Sequence, residues 1–246
     1  MTEFTKYTES ILSALQTTAR SQDTISKKQG ILDSIYQFHN LVPESVLFVG
    51  FNPAILSNTT VSMSVTEISP ATRAYLDSKH VAYTYIDSNE LGDYQKSFDV
   101  VIAADEYFTF AASADQQTDL VDKICSLARS FVISTLRDYK NQDFKDREFS
   151  IPAVVRAGPT NKVYTEFHNW SMTDRAAWVS KLYEIDNTTD ELTVYGPYNR
   201  RTMYFKQLAK FGMDAGAGSF TVHKNLMYKS PVKKNYEHVI SIRFED

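Results

Sequence analysis

The sequence predicts a doubly wound α/β fold: a mostly parallel, seven-stranded sheet with helices on both faces and a helical segment in front of it. Three observations lead there. Runs such as SVLFVG (45–50) and FDVVIAAD (98–105) are almost continuously apolar, as strands covered on both faces must be. Helical stretches separate them, with four strand–helix transitions in about ninety residues, which calls for right-handed crossovers rather than hairpins. Finally, EHVISIRFE (237–245) alternates in the manner of a strand, antiparallel and at or near the sheet edge.

Residues 1–42 read as helices. Ile11, Leu12 and Leu15, then Ile31, Leu32, Ile35 and Tyr36, recur at helical spacing; the SQD at 21–23 divides them and Pro43 closes the segment. Strands come next at 45–50, 61–68 (VSMSVTEI), 81–87 (VAYTYID), 98–105 and 130–136 (SFVISTL). Ser-Pro opens a helix ATRAYLDSKH, and DQQTDLVDKICSLA (115–128) gathers Leu120, Ile124, Leu127 and Ala128 on one helical face. These elements make residues 43–139 one half of the fold. In the other half, 140–246, KNQDFKDREF is a charged insertion. SMTDRAAWVSKLY (171–183) reads as a helix with Ala177, Trp178 and Leu182 inward, and DELTVYG (190–196) as a strand. YNRRTMYFKQLAKF reads as a helix and GMDAGAGS as a glycine-rich turn. No repeat or low-complexity linker interrupts the chain, so residues 1–246 are expected to form a single domain.

Composition narrows the function. The chain has 246 residues, 43% of them hydrophobic, enough for a sizeable core. Cys125 is the single cysteine, so neither an internal disulfide nor a cysteine-rich metal site can form; no His, Asp and Cys set has ligand spacing, and no metal is expected. The polar start MTEFTKYTES lacks a signal peptide's apolar core, and no apolar run approaches the ~18 residues of a membrane span, so a cytoplasmic protein is expected. There is no Walker A loop, G-x-S-x-G elbow or Ser-His-Asp order. The formal net charge of −4 hides a basic stretch. Between Asn199 and His238, Arg200, Arg201, Lys206, Lys210, Lys224, Lys229, Lys233 and Lys234 face only Asp214 and Glu237. Such a segment could meet an acidic partner, nucleic acid included, or be a solvated surface.

In an open α/β sheet the ligand crevice lies beyond the C-terminal strand ends. There the sequence puts Gly50, Phe51 and Asn52, then Glu67 and Ile68, then Asp87 and Ser88, then Asp105 and Glu106, and lastly Arg137. Three consecutive strands end in a carboxylate. Gly50, lacking a Cβ, allows a sharp turn and close approach. Glu67, 17 residues on, stands where a carboxylate accepts both hydroxyls of a ribose. Asp87 can accept from an exocyclic amine. The pattern implies a nucleoside-bearing cofactor across the first four strands.

These residues resemble the class I S-adenosylmethionine-dependent methyltransferases. VLFVGFN, SVTEIS, YTYIDSN and FDVVIAADEYFTF look like the family's motifs I to IV in order and spacing, RSFVISTLRD is similar to its strand-5 motif, and YTEFHNWSMTDRAAWVSKL resembles the lead into the helix before the last two strands. The resemblance covers roughly residues 30–245. It implies a class I methyltransferase-like Rossmann fold with S-adenosyl-L-methionine as cofactor. Gly50 matches the first glycine of the cofactor loop, Asn52 and Ala54 stand where further glycines would be, Glu67 matches the ribose acid, Asp87 the adenine acid, and Asp105 the acid near the methionine ammonium group. Because this cofactor has no pyrophosphate, one glycine can suffice. Asp105 and His168 are the catalytic candidates. His39 and His80 read as helix-end residues, and His223 falls in the basic segment.

Two readings from different classes stand side by side. One is a methyltransferase acting on a small molecule or an acidic macromolecule. The other is a methyltransferase-like binding or regulatory protein without catalysis, which a crevice filled by the protein's own side chains would favour; nucleic-acid binding through 199–238 fits either.

Overall fold

The computed structural model describes residues 1–18, 22–57, 61–103, 106–137, 147–149, 153–157, 160–174, 176–223, 228–229 and 236–245. Helices α1 (Glu3–Ser10), α2 (Leu12–Thr18) and α3 (Gln22–Phe38) precede β1 (Ser45–Val49). Then come β2 (Ser62–Thr66), α4 (Pro70–Ser78), β3 (Thr84–Tyr85), β4 (Phe98–Ala103), α5 (Ala114–Leu127) and β5 (Ala128–Arg137). Helix α4 begins as its sequence dictates: the Ser69 hydroxyl accepts from the Thr72 amide and Pro70 occupies the first turn.

The main sheet runs β3-β2-β1-β4-β5, continued by β13 (Tyr236–Arg243) and β11 (Ser219–Val222), with the short β12 (Tyr228–Lys229) also paired to β13. β1 to β5 are parallel, and β13 is antiparallel to β5. Strand order reverses between β1 and β4, which fixes the crevice at their C-terminal ends. Successive β1 residues serve opposite faces: Leu47 and Val49 pack toward α5 and α6 (Phe205–Asp214), Val46 and Phe48 toward α3 and α4. That two-sided burial explains the unbroken apolar run. This is the fold class expected. β13 lies one strand in from the edge, which is formed by β11; of the glycine-rich turn read at 212–219, residues 212–214 instead end α6 and only 215–218 form the turn into β11.

The second half departs from expectation. β6 (Arg147–Phe149), β7 (Ala153–Ala157), β8 (Thr160–Trp170), β9 (Ala177–Asp186) and β10 (Glu191–Arg201) form a separate antiparallel sheet, ordered β10-β9-β8-β6 with β7 paired to β8. The helix expected over 171–183 is instead a turn and most of β9. The strand read at 190–196 belongs to this second sheet, and the helix read from Tyr198 starts only at Phe205, residues 198–201 being the end of β10. Trp178, Ser180, Leu182 and Glu184 are all buried, alternating along β9. The spacing from Trp178 to Leu182 fits both a helix and a strand; the polar pair between and beyond them hid the period of two.

The inner face of this sheet meets the N-terminal helices. Tyr164 and Leu182 pack with Ile11 and Ala14. Phe4 of α1 reaches the main core, edge-on to Tyr107 at 5.0 Å and Phe110 at 5.1 Å. Helix α1 therefore spans from the second sheet to the C-terminal ends of the main strands.

Candidate functional site

At the end of β1, Gly50 takes φ +85° and its amide donates to the Thr66 carbonyl at 2.9 Å. The left-handed conformation favours glycine here. The chain then enters a 3-10 turn over Pro53–Leu56, capped by Asn52, whose side-chain oxygen accepts from the Ala54 amide at 2.9 Å. Phe51, Ala54 and Ile55 are buried, Phe51 against Tyr75. Gly50 thus makes the sharp turn, whereas Phe51 and Asn52 serve the turn itself.

Glu67, just past β2, has φ +56° and is 4% exposed. A non-glycine residue held in this region while buried is constrained by its surroundings, and such constraint concentrates at sites. One carboxylate oxygen accepts from two hydroxyls, Thr2 Oγ1 at 2.5 Å and Thr5 Oγ1 at 3.1 Å, which are themselves 2.9 Å apart. Thr5 belongs to α1 and Thr2 caps it. Ile68, the neighbour of Glu67, is core. Asp87, past β3, accepts from the Asn89 amide at 2.9 Å, and the Ser88 carbonyl accepts from Lys123 Nζ at 3.1 Å. Asp105 lies outside the described residues.

Past β4, Glu106 sits at φ +59° and joins two guanidinium groups, Arg137 Nε at 2.8 Å and Arg200 Nη2 at 2.7 Å. Arg200 is 3% exposed. It also donates from Nε to Thr109 Oγ1 at 2.9 Å and pairs with Glu166 at 3.5 Å, while its guanidinium carbon lies 3.9 Å from the Phe110 ring centroid and 5.3 Å from that of Trp178. A charge so buried is tolerable only with partners of this kind. His168, 3% exposed, lies between Glu166 (Nε2, 3.3 Å) and Glu148 (Nδ1, 3.4 Å). Burial pushes the Glu166 carboxyl up, but His168 and Arg200 outweigh it and hold it down at about 2. Tyr7 of α1 donates to Glu166 at 3.3 Å, and burial beside that carboxylate raises its phenol above the usual range.

A cavity of about 170 Å³ opens beside Arg200, lined by Ala112, Asn169, Trp170, Ser171, Trp178 and Asn199 among others. Trp170 and Trp178 meet along its wall with ring centroids 4.5 Å apart and planes tilted by 33°. His168 is not among its lining residues; it stands behind Arg200, through Glu166.

Among the described residues, the basic segment does not form one surface. Arg200 points inward, Arg201 pairs with Asp174 at 2.5 Å, and Lys210 pairs with Asp214 at 2.7 Å; of the four residues expected to meet nucleic acid, Lys206 is exposed with no ion pair among the described residues. Lys224, Lys233 and Lys234 lie outside the described residues. Arg200 is therefore corrected from a surface contact to a buried organiser. His39 and His80 do end helices, and His39 shares the Ser241 hydroxyl with His223, each 2.8 Å away. Among the described residues, no group of three or more His, Cys, Asp or Glu side chains is arranged to hold a metal ion. Sequence reasoning missed Thr2, Thr5, Tyr7, Glu166 and Trp178 as site residues. Only an alternation of buried polar residues along 164–170 and 178–184 could have exposed the last two, and nothing local marks the others.

No protein-family model matches the chain, and no curated protein matches it. Solved structures do. It is similar to DesVI of Streptomyces venezuelae (11% identity, covering 94% of this chain and 96% of that one, TM-score 0.66). It is also similar to the CcbJ methyltransferase from Streptomyces caelestis (14%, 89% and 90%, TM-score 0.63). A third is CalS10, an amino pentose methyltransferase from Micromonospora echinaspora, in a structure with bound S-adenosylmethionine (11%, 92% and 93%, TM-score 0.61). The chain has the class I methyltransferase-like Rossmann fold. At these identities the likeness is one of fold.

Proposed function

We propose that the protein is an S-adenosylmethionine-dependent methyltransferase acting on a small polar acceptor. The observation that carries this is Glu67: a buried carboxylate at the end of β2, in left-handed backbone, accepting two adjacent hydroxyls beside the β1–β4 switch point. The hydroxyls it accepts are the protein's own Thr2 and Thr5, a side-chain filling that favours the second reading, a methyltransferase-like binding protein without catalysis; the methyltransferase reading takes the same arrangement as a receptor for a vicinal diol that a ligand can claim. Gly50 supplies the close turn, and Asp87 stands one strand further out for an amine. These residues fit the nucleoside part of the cofactor, and a loop with one glycine fits because no phosphate has to be cradled.

Bound there, the cofactor supplies a methyl group already activated by its sulfonium, so the protein's task is alignment and exclusion of water. We assign the acceptor to the Trp170–Trp178 cavity, where indole faces and the Asn169 and Asn199 amides suit a ring bearing hydroxyl or amino groups. The amino-pentose acceptor named for CalS10 has that chemistry. Arg200 and Glu106 fix the wall between cavity and strand ends, and His168 holds Glu166 in place as a positioning residue.

Calorimetric titration tests the reading. S-adenosylhomocysteine should bind saturably, one per chain, and adenosine should bind at least tenfold more tightly than 2′,3′-dideoxyadenosine (about 1.4 kcal/mol), because only adenosine offers Glu67 its diol. Absence of binding at millimolar ligand, or indifference to the missing hydroxyls, refutes it.

A further inference from the structure

In this structure Glu67 receives its two hydroxyls from the protein itself. Thr2 caps α1, its hydroxyl accepting from the Thr5 amide at 3.2 Å while donating to Glu67, and Thr5 donates to the same carboxylate oxygen. Two hydroxyls 2.9 Å apart on one carboxylate present what a ribose diol presents. Both contacts fall on one oxygen of a residue that is only 4% exposed.

We propose that α1 is an internal competitor for the nucleoside site: its Thr2–Thr5 pair occupies the diol position, and an adenosyl ligand binds only by displacing it. The inference rests on the methyltransferase reading and adds an order of binding to it. The same helix holds the acceptor side. Glu3 accepts from the Asn199 amide at 2.8 Å and from its side-chain nitrogen at 3.2 Å, Tyr7 donates to Glu166, and Ser10 meets the Tyr198 hydroxyl at 3.0 Å. Asn199 and Arg200 line the Trp170–Trp178 cavity, and Glu166 pairs with Arg200. Moving α1 off Glu67 therefore loosens the cavity wall, so the cofactor enters first and the acceptor second. The placement of Phe4 in the main core makes the helix well seated without a ligand, and the hydroxyl-to-carboxylate contacts are the part a ligand can replace in kind.

Thr2→Val/Thr5→Val in the full chain removes the competing hydroxyls and keeps side chains of similar shape. The variant should bind S-adenosylhomocysteine at least fivefold more tightly than the wild type. In the unaltered protein the same ligand should speed tryptic cleavage after Lys6, an exposed residue of α1, which keeps the test independent of whether the variant folds. Equal or weaker binding by the variant, or protection of Lys6 by the ligand, would show that α1 closes over the cofactor instead, and would overturn the proposal while leaving the methyltransferase reading intact. Failure of both proteins to bind the ligand would overturn both.

Discussion

The two sheets of this molecule are held by different forces. The main sheet is covered on both faces by apolar side chains: Leu47 and Val49 on one side, Val46 and Phe48 on the other, each no more than 2% exposed. The second sheet buries only its inner face, and that face carries His168, Ser180, Glu184 and Arg200 beside Trp170, Trp178 and Leu182. One is stabilised by removing apolar area from water, which is indifferent to pH. The other depends on mutual satisfaction of buried polar and charged groups, which is specific, brittle and proton-linked. The candidate nucleoside site belongs to the first sheet and the candidate acceptor cavity to the second. Rigid strand ends thus face a chargeable wall, with α1 between them.

The largest expected effect tests the apolar half. Phe48 is 2% exposed in the middle of β1, and Phe48→Ala leaves a cavity that the two helices covering it cannot close; it should cost about 3–5 kcal/mol in urea unfolding. The same loss should be measured at pH 7 and pH 5, since nothing about it titrates. A loss that changed with pH would break the contrast between the sheets.

Legibility from sequence divides along the same line. Strands β1, β2, β4 and β5 are readable because two-sided burial writes itself as apolar runs, and Gly50 and Glu67 are found where those runs stop. β3 shrinks to Thr84–Tyr85 because it closes one edge of the sheet, paired on one side only, so VAYTYID overstates it. In the second sheet the inward positions of β8 are Tyr164, Glu166, His168 and Trp170, and Glu166 and His168 among them are polar. A hydrophobic period cannot show where charge is what is buried. The ion pairs that make this tolerable join residues far apart in sequence, Arg200 to Glu106 for example, and no local window contains both. The Glu67–Thr2–Thr5 contact is hidden for the same reason, across more than sixty residues.

A second, smaller effect concerns the charged half. Glu166 is held at about 2 against 4.5 for a free side chain, so it stays ionised in the fold at pH values where the unfolded chain binds a proton. Its contribution is complete above 4.5 and disappears as the pH falls from there toward 2. The span corresponds to about 3 kcal/mol. Acidification through that window should open β8 and β9 to hydrogen exchange ahead of β1 and β4, and Glu166→Gln should remove this part of the pH dependence. Simultaneous opening of both sheets in the wild type would show that they are one cooperative unit and that the charged wall has no separate stability.

The smallest effect is expected on the outer face of the second sheet. Leu192 is 61% exposed, and it shares that face with Phe149, Val154, Ile185 and Val194, all more than a third exposed. An apolar side chain already in water gives up almost nothing when its methyl groups are removed, so Leu192→Thr, which puts a β-branched residue into a strand, should lie within about 0.5 kcal/mol of the wild type. Leu182, one strand over and 3% exposed on the inner face, is the internal control: the same replacement there strips a packed side chain from the N-terminal helices and inserts a hydroxyl among apolar neighbours. Two leucines on opposite faces of one sheet should therefore differ by several-fold in cost. Similar losses would mean that the outer face is buried in solution as well, and that the second sheet is covered on both sides like the first.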